Sequence, residues 1–124
     1  MSRRSSKESK SRRYVCGHRL PALEADVLEI LLAAEEPLPV AAVQEALAAS
    51  GQSYAYTTVA TLLARLANRG LAVQVPAGRA NLWRPAGDRQ RLAELALEEV
   101  LSSVDDPEAA VLGFLERTRR GRKR

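Results

Sequence analysis

The sequence predicts a mainly α-helical protein with one small β-hairpin. Three observations lead there. Hydrophobic residues fill 46% of the 124 positions but aromatic residues only 4%, so the core must be built from Leu, Val and Ala. Apolar residues recur at helical spacing in segment after segment. Only between residues 71 and 84 does the period fall to two, the mark of a strand pair.

Residues 1–19 hold Ser, Arg and Lys with almost nothing to bury and are expected to form a disordered basic arm. The first helix is expected from Pro21, a favourable first helical residue, with Leu23, Val27, Ile30, Leu31 and Ala34 along one face. Glu35-Glu36-Pro37-Leu38-Pro39 breaks it. Pro39 opens a second helix on Val40, Val43 and Leu47, which Ser50-Gly51 stops. A third helix runs from about Tyr56 to Asn68 on Val59, Leu62, Leu63 and Leu66, with Gly70 as its cap. Leu71, Val73 and Val75 then alternate, Pro76-Ala77-Gly78-Arg79 turns the chain, and Ala80 to Arg84 returns as a second strand. A fourth helix is expected over Arg89 to Ser103, capped by Asp88, with Leu92, Leu95, Ala96, Leu97, Val100 and Leu101 spread over a wide apolar surface. Asp106-Pro107-Glu108 starts a fifth, which carries Val111, Phe114 and Leu115.

Three helices followed by a two-stranded hairpin is the order of a winged helix-turn-helix domain. Its third helix enters the DNA major groove and its hairpin, the wing, lies beside the phosphates. The expected organisation is a basic arm over 1–19, the winged domain over 20–86, helices that dimerise over 87–116, and a basic tail over 117–124.

The formal charge of +4 is unevenly placed. Residues 1–20 carry +6, residues 114–124 carry +5, and the middle carries −7. Within that acidic middle, Ala46 to Gly87 contains no Asp or Glu but holds Arg65, Arg69, Arg79 and Arg84. A stretch cleared of acids suggests a surface that faces an anion. The terminal basic segments fit either solvated charge or, at the N-terminus, an arm that follows the DNA backbone.

At 100° per residue, the side of the third helix opposite its apolar stripe carries Thr57, Thr61, Ala64 and Asn68, flanked by Ala60 and Arg65. Small residues let a helix approach the groove floor. Threonine offers a hydroxyl and a methyl to base edges, and arginine pairs with guanine or grips phosphate.

The run from Tyr56 through Thr57, Thr58, Val59, Ala60, Thr61, Leu62, Leu63, Ala64 and Arg65 to Leu66, then Gly70-Leu71, Gly78-Arg79-Ala80 and Trp83-Arg84-Pro85, resembles the penicillinase-repressor (BlaI/MecI/CopY) family. That family's pattern reads YTTV-x-T-x-L-x-R-L, K-G-L, G-R-A and Y-R-P. Leu23-Glu24-Ala25-Asp26-Val27-Leu28 is similar to its LE-x-x-VM opening. The resemblance implies a dimeric transcriptional repressor on a palindromic operator in double-stranded DNA, located in the bacterial cytoplasm and nucleoid-associated. It places Thr57, Ala60 and Thr61 at base-facing positions, and Tyr56, Thr58 and Arg65 at positions that support the backbone or set the helix. It puts Arg79 near phosphate on the wing. Leu32 stands where the pattern has Trp, and Trp83 where it has Tyr. A further short family helix is not expected here, since residues from Arg117 onward lack apolar periodicity. Because some relatives are inactivated by proteolysis, a protease or sensor is also an implied partner, with Gly113-Phe114 as the nearest equivalent segment.

Other functions find little support. One His, no G-x-S-x-G and no phosphate-binding glycine loop argue against an enzyme. Cys16 and His18 are too few for a zinc sphere, so neither metal nor cofactor is expected. No apolar run is long enough for a membrane span. The alternatives left open are a winged protein-interaction module, a non-specific nucleoid-associated DNA-binding protein, and RNA binding through the tails.

Overall fold

The computed structural model describes residues 11–122. Strands β1 (Arg12–Val15) and β2 (His18–Pro21) lead into helix α1 (Ala22–Ala33). Helices α2 (Val40–Ala49) and α3 (Tyr56–Asn68) follow, then strands β3 (Ala72–Ala77) and β4 (Ala80–Pro85), and helices α4 (Arg89–Leu101) and α5 (Pro107–Arg122). The mainly helical architecture with a winged helix-turn-helix order is therefore observed.

Both strand pairs are antiparallel and separate from each other. In the wing, Ala77 pairs with Ala80 across Gly78-Arg79. Gly78 has φ 62°, which the first position of a tight hairpin turn requires and glycine supplies without strain. The loop between α1 and α2 adds a bridge to the wing. Leu38 N donates to Trp83 O at 2.8 Å and Trp83 N to Leu38 O at 2.7 Å. Trp83 itself is buried beneath the wing.

The core is aliphatic, as the low aromatic content required. Val27, Leu28 and Leu31 of α1 meet Val43 and Leu47 of α2, Val59, Leu63 and Leu66 of α3, and Leu92 of α4. The helix ends follow local chemistry. Asp88 accepts from Arg91 N at 2.8 Å and Asp106 from Ala109 N at 3.1 Å, each filling an orphan donor of the first turn. Gly70, at φ 79°, follows the end of α3.

Three expectations are corrected. Residues 1–10 lie outside the described residues, but 12–21 form a hairpin rather than part of a disordered arm. Its turn residues Cys16 and Gly17 have φ of 51° and 86°, the pair of positive values a two-residue I′ turn needs. Val15 and Leu20 are buried at 2% and 1% exposure, enough to anchor so short an element. The strand pairing also ends at Pro21, opposite Arg12, so α1 begins at Ala22. The segment expected as a separate basic tail continues α5 to Arg122. Arg, Glu and Thr continue the helix here without an apolar stripe, and Glu116 and Arg120, 3.8 Å apart one turn from each other, add about 0.2–0.5 kcal/mol. Residues 123 and 124 lie outside the described residues.

The hairpin also joins the winged unit to α4. His18 Nε2 lies 2.7 Å from Leu92 O, so the histidine considered beside Cys16 as a metal ligand serves a tertiary hydrogen bond instead. A Cβ added at Gly17 would lie 2.9 Å from the Ala96 Cβ, so this turn approaches α4 more closely than a side chain allows.

A tie between α1 and α4 is ionic: Arg89 Nη2 donates to Glu29 Oε1 at 2.6 Å. That hydrogen bond and the Arg89 charge hold the Glu29 carboxyl below its ordinary 4.5, against the opposing effect of burial. A carboxylate whose pKa is depressed by folding adds stability above its unfolded value, lost as pH falls through the folded value. Glu29→Gln should therefore lower the melting temperature slightly at pH 7, since both partners are substantially exposed. The gap to the parent protein should narrow as the pH falls below 4.5, which thermal melts over a series of acid pH values would measure.

Candidate nucleic-acid interface

Helix α3 is the most strongly two-sided element of the chain. Val59, Leu62, Leu63 and Leu66 are buried, while Thr57, Thr58, Thr61, Ala64, Arg65 and Asn68 are exposed. Its exposed side carries no acid and is built of short side chains. Gln44 Nε2 donates to Tyr54 O at 2.9 Å, tying α2 to the chain that enters α3 and fixing the helix-turn-helix angle.

The residues singled out from sequence take different positions. Thr57, Thr61 and Asn68 share the exposed face with Ala64, and Tyr56 stands exposed at the first turn. Thr58 is exposed beside them. Ala60 is half-buried and packs against the core, because it neighbours the apolar stripe; only part of it is available to a groove. Thr61 Oγ1 donates to Thr57 O at 2.9 Å, which leaves its lone pairs and methyl group for a ligand. Arg79 is exposed at the wing turn, apart from the α3 group. Arg84, not singled out for contact, joins it as a second exposed wing cation, its Nη1 donating to Pro85 O at 3.0 Å.

The acid-free stretch of sequence is not acid-free in space. Glu24 of α1, only 2% exposed, accepts from Arg69 Nε at 2.7 Å and lies 4.0 Å from Arg65 Nη1. Two of the stretch's four arginines thus lean on a carboxylate from outside it. The arrangement pins the C-terminal end of α3 to the start of α1 and holds Arg65 at the edge of the exposed face, its side chain still 62% exposed. Sequence reasoning missed this clamp; a Glu among apolar neighbours at the start of α1 was its one visible trace.

A second surface lies on the C-terminal helices. Leu92 and Ala96 of α4 are buried, but Leu97 and Val100 beside them are exposed, as are Val104, Leu112, Phe114 and Leu115. The wide apolar surface expected for α4 is therefore two stripes, one facing the core and one left open.

Residues 20–123 match the family described as Penicillinase repressor. Over 102 residues the chain is 37% identical to Transcriptional regulator BlaI of Mycobacterium tuberculosis, in two strains, a match covering 80% of this chain and 73% of that protein. Among solved structures it is similar to hsRosR in the complex S4, at TM-score 0.50 and 20% identity, covering 86% of this chain and 95% of that one. hsRosR in the complex S1 also gives 0.50, with 82% and 94% covered. These two likenesses concern the fold alone. Sequence and architecture agree, and the chain belongs to the penicillinase repressor family.

Proposed function

We propose that this chain is a sequence-specific DNA-binding transcriptional repressor, acting as a dimer on a palindromic operator. Helix α3 enters the major groove and the wing lies on phosphates. The observation that carries this reading is the exposed face of Thr57, Thr61, Ala64 and Asn68, small and without acid, on a helix whose other side is locked into the core. Family membership and the curated relatives' designation as transcriptional regulators support it.

In this reading Thr57 and Thr61 meet base edges, and Asn68 lies at the far end of the same face. Ala60 sets how closely the helix approaches. Tyr56, Thr58 and Arg65 hold the backbone beside the groove, and Arg79 with Arg84 supplies the wing's cations. Dimerisation uses the open apolar stripe of α4 together with α5. No helix among the described residues is long and apolar enough to cross a membrane, and a cytoplasmic, nucleoid-associated repressor needs no catalytic group or cofactor. A regulatory protease or sensor acting near Gly113-Phe114 belongs to the same proposal.

Thr61→Ala tests the assignment. Affinity for the specific duplex should fall by about 1–3 kcal/mol, with a smaller loss on random duplex. Equal losses on both would make Thr61 a positioning residue without a part in base reading. A chain acting only through protein contacts would show no preferred duplex at all.

A further inference from the structure

The β1–β2 hairpin presents two faces of opposite character. Partners across an antiparallel pair share a face, and Val15 opposite His18 and Arg13 opposite Leu20 turn inward. Val15 and Leu20 are buried, His18 meets Leu92 O, and Arg13 pairs with Asp26. On the outer face, Tyr14 lies opposite Arg19, and Arg12 lies opposite Pro21. Arg12, Tyr14 and Arg19 are all exposed, Tyr14 at 71%. The hairpin contains no acid, and neither Arg12 nor Arg19 meets a carboxylate among the described residues.

The hairpin packs on α1, which in turn packs on α3. Ala22 N donates to Ser11 O at 2.9 Å, so the open end of the hairpin adjoins the first turn of α1. Glu24 in that same turn meets Arg65 of α3 and Arg69, the residue that caps it. Asp26, the partner of Arg13, also accepts from Gln52 Nε2 at 3.2 Å, in the connection between α2 and α3. Arg19 lines one groove together with Arg69 and Leu71, across from Glu99 of α4. A basic rim therefore runs from the end of α3 onto the hairpin.

We propose that the β1–β2 hairpin is a second backbone-gripping element. Arg12 and Arg19 each neutralise a phosphate of the duplex beside α3, and Tyr14 donates its phenol hydroxyl to the same backbone. The proposal rests on the reading of α3 as the groove helix. Duplex DNA fits this face better than a lipid surface, because the hairpin is tied at two points to the helix-turn-helix and offers no aliphatic side chain for insertion.

The test uses the full chain and two duplexes of equal length, one carrying its preferred site and one of random sequence. Each neutralised phosphate contributes about 0.9 to the slope of log affinity against log salt. R12A/R19A should flatten that slope by about 1.8 per bound protomer, hence about 3.6 for a dimer, on both duplexes, while the affinity ratio between them stays within about twofold. R12K/R19K, which keeps both charges, should retain the parent slope. A slope for R12A/R19A equal to the parent's overturns the proposal. So does a loss confined to binding of phosphatidylglycerol vesicles. If the parent chain binds neither duplex, the reading of α3 fails first and the hairpin's role falls with it.

Discussion

Val100→Glu combined with Leu97→Glu should leave the chain monomeric and lower its affinity for a two-half-site operator by about 100-fold or more. Both side chains lie on the open stripe of α4, at 62% and 50% exposure, so the protomer itself should melt almost unchanged. In a dimer they would be buried, and a carboxylate placed there would have to be desolvated without a partner. The affinity loss follows from linkage between two half-sites: once one reading helix is seated, the second meets its half-site at high effective concentration. Sedimentation and a binding titration on the same preparation would check both parts. A double variant that still assembles like the parent would show that the stripe is not the interface.

Arg69→Ala should be the most destabilising single change outside the aliphatic core. Removing this guanidinium leaves the Glu24 carboxylate, 2% exposed, with only Arg65 at 4.0 Å. Breaking a buried pair from one side costs about 3–5 kcal/mol when nothing compensates. The remaining arginine should bring the loss down to roughly 2–3 kcal/mol. Glu24→Gln should cost less, about 1 kcal/mol, because the amide is neutral and Arg69, at 42% exposure, is free to turn into water. The order of the two effects separates a buried anion that needs its cation from an ordinary surface pair. Urea denaturation of the two variants would rank them; equal losses would contradict the clamp as described.

Much of the winged unit was legible because its signals are local. The apolar spacing of α3 gave bounds of Tyr56 and Asn68, Asp88 announced α4, and Gly78 marked the wing turn. The exposed face of α3 followed from the same helical period, with Ala60 the exception because it sits at the edge of the buried stripe. What escaped depends on contacts between distant positions. Charge density hid the N-terminal hairpin. Its two anchoring residues, Val15 and Leu20, find their place only against α1 and α4, where Gly17 meets Ala96 and His18 meets Leu92. The pair of Glu24 and Arg69 spans 45 positions, so the cleared stretch of sequence looked more cationic than the surface it forms. α5 outran its expected end because Arg and Glu are good helix formers that continue a helix without the apolar repeat by which its extent was judged.

In the function proposed here, the open stripe of α4 pairs two protomers so that two copies of α3 read DNA in a fixed relation. Selection of bound duplexes from a random-sequence pool, followed by sequencing, tests this most directly. The expected result is an inverted repeat whose half-site centres lie about 10 bp apart, or a multiple of that, as two-fold related reading helices demand. A bound pool without any enriched sequence would contradict it.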